Sequence, residues 1–247
     1  MNQKHEFAFF TPEVAQISRK DKDYTIKDSD LIRRLTSIVR VQVGDKIILF
    51  DEQLHVDATI LIVSKKAISI AVAERKNHTI LQPTIVWLLP LLEREAFEDA
   101  LTALTVMGAA EIIPVITQKS RKTWGNPKER DRAKRLMIAA AEQSKQFVLP
   151  LVQETVSLES ALETIKKKDA AKLFFDAAGK PAFTVLEQIK KNKVQTLIAL
   201  IGPEGDLTAA EKKLVQQNGF DFCRLTPTIL RASTAVEVGM GLLRTCL

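Results

Sequence analysis

Hydrophobic and polar positions follow two different rhythms along this chain. Up to about residue 75 the apolar residues come in short runs: "VGDKIILF" follows a Gly-Asp turn, "HVDATILIV" alternates in part, and "AISIAVAE" forms another run after Lys65 and Lys66. Runs of this length, rich in β-branched residues and bounded by turn residues, predict strands, and over 1–75 they predict a small barrel or sandwich. The polar stretch "ERKNHTILQP" then separates a different regime, so a boundary is expected within 76–83 and a second domain over 76–247. From Thr84 onward the strand-length runs "TIVWLLPLL", "EIIPVIT", "KLFF", "TLIALIG" and "FCRL" alternate with longer amphipathic segments. That alternation predicts an α/β domain with a mainly parallel sheet. In its first helix Phe97, Leu101, Leu104 and Gly108 share a face. The next, opening at Pro127, is expected to bury Ala133, Leu136, Met137 and Ala140.

"TLIALIGPEGDLTAAEKKL", residues 196–214, runs an apolar strand through Gly202, Pro203, Glu204 and Gly205 into a helix. Permissive backbone beside rigid backbone suits close contact between main chain and a ligand, and bulk at 202 is expected to exclude one. Thr208 and Glu211 can open the helix as a capping box, and Gly219 can end it. The loop lies where open α/β sheets bind ligands, beyond the carboxyl end of a strand. A plain strand-to-helix turn would read the same. The chain has neither GxGxxG nor GxxxxGK[ST]. A second segment, "LTPTILRASTAVEVGMGLL" at 225–243, also leaves a short strand and enters a helix near Ser233 or Thr234, so the two loops can wall one pocket.

Charge adds a partner class. The chain of 247 residues carries 36 Lys and Arg against 30 Asp and Glu, a formal +6 that suits a polyanion or a merely lysine-rich surface. "TQKSRKTWGNPKERDRAKR", residues 117–135, sets cations around Trp124: Arg121 and Lys122 could track phosphate while Trp124 stacks on a base, although the later cations also suit a solvated helix face. Arg33, Arg34 and Arg40 form a second basic candidate. The apolar runs are shorter than a bilayer span, and "MNQKHEFAFF" lacks a long apolar core with a cleavage site, so a cytoplasmic protein is expected. Cys223 and Cys246 form no CxxC pair, and neither a disulfide framework nor a metal site is expected. His5, His55 and His78 all fall in the first domain or the linker. Within the α/β domain the candidates for handling a proton or an anion are therefore Glu142, Glu204, Asp206 and Arg231.

"LIGPEGDLTAAE" at 200–211 followed by "LRASTA" at 230–235 resembles the two terminal motifs of the RsmE family, which methylates uridine N3 of small-subunit ribosomal RNA with S-adenosylmethionine. "AAEQSKQ" at 140–146 and "IVRVQVGDKIILFD" at 38–51 are similar to further segments of that family. The resemblance implies a SPOUT fold: a PUA-like β-barrel that binds RNA, then an α/β methyltransferase domain with a C-terminal trefoil knot, acting as a homodimer. No periodicity signals a knot, and general topology rules disfavour one. The resemblance further implies that the cofactor lies between the knot loops, at Leu200, Ile201, Gly202, Glu204, Gly205, Leu225, Leu230, Arg231 and Ala235. Arg231 is the preferred catalytic group, a guanidinium able to hold a uridine oxygen and stabilise the charge left at N3, with a capping or salt-bridging role as its alternative. Glu204 can instead hydrogen-bond loop backbone.

This chain departs from the family at several positions: Asp206 replaces a glycine, Ser233 a glutamate, Leu91 a lysine and Lys119 an arginine. A relative acting on another RNA, or a noncatalytic RNA-binding assembly protein, are the alternatives. The last helix carries an apolar stripe of Val236, Met240 and Leu243, fit for a dimer surface or for the chain's own core.

Overall fold

A computed structural model describes residues 6–17 and 22–247; His5 lies outside them. The chain forms two compact units, one of residues up to Thr79 together with Ala141–Val148, the other of Ile80–Ala140 and Leu149–Leu247. A single cut in the sequence cannot describe the first unit, because a segment 60 residues downstream of Leu81 returns to it.

In the first unit, β1 (Phe7–Phe10), β2 (Asp23–Ile26), β3 (Lys46–Phe50), β4 (Leu54–Val63) and β5 (Ile68–Asn77) form a sheet in the order β1-β3-β4-β5-β2. The β1–β3 pair is parallel and the others are antiparallel. Strand β4 buries Leu54, Val56, Ala58 and Ile60 and leaves the residues between them partly exposed, the period of two expected of a sheet with one covered face. The cover includes Leu31 and Ile32 of α1 (Ser29–Arg33), whose start is capped by the Asp28 carboxylate accepting from the backbone N–H of Asp30 and Leu31. A π-helical stretch, Arg34–Val39, continues α1 and ends at Arg40 in the left-handed conformation, φ 58°.

The second unit is an all-parallel sheet: β6 (Thr84–Pro90), β7 (Glu111–Ile116), β8 (Leu151–Val152), β9 (Val156–Ser157), β10 (Ala171–Pro181), β11 (Thr196–Ile201) and β12 (Asp221–Arg224). Its order is β12-β10-β11-β6-β7-β8, with β9 also on β7. The helices are α2 (Arg94–Val106), α3 (Pro127–Ser144, grouping with the first unit from Ala141), α4 (Leu158–Ile165), α5 (Ala182–Lys191), α6 (Ala209–Gln217) and α7 (Ala232–Cys246). Central strands read as unbroken apolar runs because both faces are covered. Ile85, Trp87, Leu89, Leu197, Ala199 and Ile201 join a core with α2, α5 and α7, while Val86, Leu88, Ile198 and Leu200 join one with α4 and α6.

The stripe on α7 faces inward: Val236, Met240 and Leu243 are fully buried in the chain's own core and offer nothing to a second copy. Gly239 allows that approach, since a Cβ there would stand 2.8 Å from the Phe175 ring and 3.2 Å from Trp87. Strand β10, beside it, is irregular. Phe175 and Lys180 both register with Cys223, so residues 176–179 bulge out of the ladder. Gly179 permits the return, because a Cβ there would lie 2.5 Å from backbone atoms of Phe222 and Cys223.

Candidate active site

The carboxyl ends of β6, β10, β11 and β12 surround a cavity of about 800 Å³. Phe175, Ile201, Leu225, Leu230 and Ala235 give it apolar walls; Glu93, Glu95, Asp99, Asp176, Glu204 and Asp206 give it carboxylates; Arg231 is the cation in its lining. Its size is that of a small-molecule site, and its charge favours a ligand bearing positive charge.

Local chemistry holds the glycine loop in place. The Asp206 N–H donates to Pro203 O at 2.8 Å, closing a turn that leaves Asp206 at φ 59°. Its Oδ1 accepts from the Leu207 N–H at 2.7 Å, and a Cβ on Gly202 would stand 2.8 Å from that oxygen. The capping box forms: Thr208 Oγ1 accepts from the Glu211 N–H at 3.3 Å, and Glu211 Oε2 accepts from the Thr208 N–H at 2.8 Å. Glu211 is 3% exposed, and its other oxygen accepts from the Gln118 N–H at 2.8 Å, tying the loop after β7 to α6. Lys119 Nζ donates to Gly205 O at 2.8 Å, and Glu204 Oε1 accepts from the Glu93 N–H at 2.9 Å. Glu204 thus hydrogen-bonds loop backbone. Three neighbouring loops are locked to one another before any ligand arrives.

Ile201, Gly202, Glu204, Leu225, Leu230, Arg231 and Ala235 line the cavity together. Leu200 is fully buried in the core on the opposite face, as the period of two requires, and Gly205 is exposed and outside the lining. Arg231 caps α7 through its backbone alone, its carbonyl accepting from the Ala235 N–H at 2.8 Å. Among the described residues its guanidinium has neither hydrogen bond nor ion pair, so no salt bridge accounts for it.

The other sequence candidates lie elsewhere. Glu142 belongs to the first unit, where it accepts from the Phe10 N–H at 2.9 Å and pairs with Arg34 at 2.6 Å. Arg34 also lies 5.4 Å over the Phe9 ring; Arg33 pairs with Asp30 at 2.7 Å, and Arg40 is exposed. His55 and His78 stack at 5.5 Å beside Phe147, also in the first unit, and burial lowers the pKa of both. In the second unit Lys122 is spent on Thr117 O and Gln118 O. Trp124 is half-buried against Phe97, 5.1 Å between centroids, leaving only part of the ring for stacking. It shares a smaller cavity, about 320 Å³, with Arg121, Lys128 and the Glu98–Arg132 pair, whose arginine helps hold Glu98 at a pKa of about 2. Burial pushes the Cys223 thiol up to about 12, the state of an inert core cysteine.

Phe175, Asp176, Glu93 and Asp99 were not among the sequence candidates. Glu93 follows β6, so the strand-end rule could have found it; Phe175 and Asp176 lie within β10 and Asp99 within α2, and the bulge that presents Asp176 has no local signal beyond Gly179. Among the described residues no helix is long and apolar enough to cross a membrane, and no cluster of three His, Cys, Asp or Glu is placed to hold a metal.

A parallel sheet covered on both faces, its cavity beyond the strand ends, and a separate sheet at the N-terminus define an α/β protein of two units. The same fold is seen in ribosomal RNA small subunit methyltransferase E from Neisseria gonorrhoeae bound to S-adenosyl methionine (TM-score 0.81, 21% identity, 98% of each chain). It recurs in a Legionella pneumophila chain solved with bound SAM (TM-score 0.78, 20% identity, 98% of each chain). Residues 81–244 match the RNA methyltransferase domain family, and the chain belongs to that family. Its relatives include ribosomal RNA small subunit methyltransferase E of Bacillus subtilis (strain 168), 28% identical over 83% of each chain, and that of Rickettsia conorii, 22% identical over 86% of each.

Proposed function

We propose that this protein methylates uridine N3 of small-subunit ribosomal RNA, with S-adenosylmethionine as donor. The observation that carries the reading is the carboxylate-rich cavity at the strand ends, with the unpaired Arg231 in its lining at the start of α7. The cofactor would lie between the glycine loop and the β12–α7 loop, held by Ile201, Gly202, Glu204, Leu225, Leu230 and Ala235, with Leu200 anchoring the strand from the opposite face. It supplies an electrophilic methyl group on a cationic sulfur, and the carboxylates of the cavity complement that charge. Arg231 binds a uracil oxygen, stabilising the anion formed when N3 gives up its proton to solvent, and the N-terminus of α7 adds its positive dipole end.

The family resemblance extends the proposal to a PUA-like barrel in the first unit that binds RNA, a trefoil knot formed by the loops after β11 and β12, a homodimer and a cytoplasmic location. Arg33, Arg34, Arg40, Arg121, Lys122 and Trp124 are the proposed RNA contacts. Of these, Arg40 and Arg121 carry side chains with no partner among the described residues.

The test is single-turnover methyl transfer to ribosomal RNA from cells lacking the enzyme. Arg231→Ala should slow transfer by more than about tenfold, about 1.4 kcal/mol of transition-state stabilisation, with cofactor binding and thermal stability kept. Wild-type protein that methylates no uridine would leave a noncatalytic RNA-binding protein as the reading, and an Arg231→Ala variant that merely unfolds would make the residue structural.

A further inference from the structure

Lys212 of α6 stands outside the lining of the cavity but touches two of its walls. Its Nζ is 2.6 Å from Asp176 Oδ2 and 2.6 Å from Asp206 Oδ2. Asp176 opens the bulge of β10, and Asp206 closes the glycine loop after β11. We infer that Lys212 is a positioning residue: by bridging these carboxylates it sets the bulge against the glycine loop and so fixes the width of the cofactor cavity. The inference rests on the cofactor reading above.

The bridge ties the bulge to the glycine loop, whose other hydrogen bonds among the described residues do not reach the bulge. Residues 176–179 have left the β10–β12 ladder, and among the described residues the Asp176 carboxylate's one other polar partner is the Ala178 N–H, at 2.7 Å from Oδ1. Asp206 is a non-glycine residue held at φ 59°, a conformation that persists only where surroundings over-determine it. Its Oδ1 is used by the Leu207 N–H and its Oδ2 by Lys212. The two halves of the bridge differ in weight. The Asp176 side chain is 8% exposed, Lys212 31% and Asp206 57%, so the inner pair is the less screened by solvent. Burial disfavours the ammonium, but the two carboxylates outweigh it and raise the Lys212 pKa, so the bridge stays charged.

Positioning and simple charge effects predict opposite signs. Removing a cation makes the cavity more acidic, and charge alone would then tighten binding of a cationic cofactor. Loss of the bridge loosens the cavity and weakens binding of any ligand that fits it.

The experiment is calorimetric titration of the full chain with S-adenosylmethionine and with S-adenosylhomocysteine, which lacks the sulfonium charge. Lys212→Met should weaken both by a similar factor, about tenfold or more (about 1.4 kcal/mol). Under turnover it should raise KM for the donor while leaving kcat largely unchanged at saturation. Lys212→Arg should restore most of the loss, and Lys213→Met, the same charge change on an exposed neighbour, should leave both affinities unaltered. Should Lys212→Met fail to fold, Asp206→Gly decides: glycine accepts the backbone conformation while the outer half of the bridge goes together with the Leu207 N–H bond, so affinity for both ligands should fall roughly threefold. Unchanged or tighter binding by Lys212→Met, or by Asp206→Gly where that variant decides, overturns the inference. Failure of wild type to bind either ligand removes the cofactor reading itself, a distinct outcome.

Discussion

Gly202→Ala acts through the loop before it acts on a ligand. The new Cβ would stand 2.8 Å from Asp206 Oδ1, short of the 3.4 Å at which ordinary contact begins, whereas its next neighbours, Asp206 Cα at 3.3 Å and Leu207 N at 3.4 Å, need yield almost nothing. The carboxylate is the movable party, and moving it breaks its hydrogen bond from the Leu207 N–H, worth about 0.5–1.5 kcal/mol net. A displaced Asp206 shifts the turn that lines the cavity, so the Kd for S-adenosylmethionine should rise about tenfold, about 1.4 kcal/mol, with little change in Tm because the carboxylate is largely exposed. Repeating the change in an Asp206→Gly background isolates the cause. With the obstructing oxygen gone, Gly202→Ala should cost less than about twofold, a coupling on the order of 1 kcal/mol between the two positions. Calorimetry on the four proteins of this cycle measures it. An equal penalty in both backgrounds would mean that the methyl group meets the ligand directly, and no penalty in either would remove Gly202 from the site.

The same geometry sets three further outcomes. Gly179→Ala puts a Cβ 2.5 Å from backbone atoms of β12 that cannot swing away, so β10 and β12 must part; scanning calorimetry should show a loss of about 3 kcal/mol, and an unchanged Tm would mean that the bulge re-forms without strain. Burial keeps His55 and His78 neutral when folded, with Asp57 and Glu74 opposing it at His55 and Asp51 at His78. The unfolded chain takes up those protons near its ordinary pKa of about 6.5, so this stability is present above about pH 6.5 and is lost as pH falls toward the folded values. Urea unfolding from about pH 7.5 to about 5 should show the loss, and a His55→Phe/His78→Phe double variant should flatten it; an unaltered slope would assign it to other groups. Binding to ribosomal RNA fragments should weaken with salt, the slope falling by about one in Arg121→Ala and again in Arg33→Ala, and a flat salt response would exclude phosphate contacts.

What the sequence determined by itself is what depends on near neighbours. The strands were legible as apolar runs, "TLIALI" becoming β11 and "EIIPVI" β7, because every central strand is covered on both faces. The cap at Thr208 and Glu211 was legible because its partners are three residues apart. The position of the glycine loop was legible because ligand sites lie beyond strand ends. Tertiary structure decided the rest. An inward stripe and an outward stripe are the same string of residues, and only packing against Phe175 and Trp87 turned Val236, Met240 and Leu243 toward the core. Leu200 and Ile201 are adjacent in the motif yet lie on opposite faces of the sheet, so Ile201 lines the cavity and Leu200 cannot. The cavity joins Glu93, Asp176, Glu204 and Arg231, and the bridge at Lys212 joins two strand ends that are far apart in the chain. Such contacts leave no periodicity to read: each depends on where a whole strand ends in space, and that is set by the order of strands in the sheet.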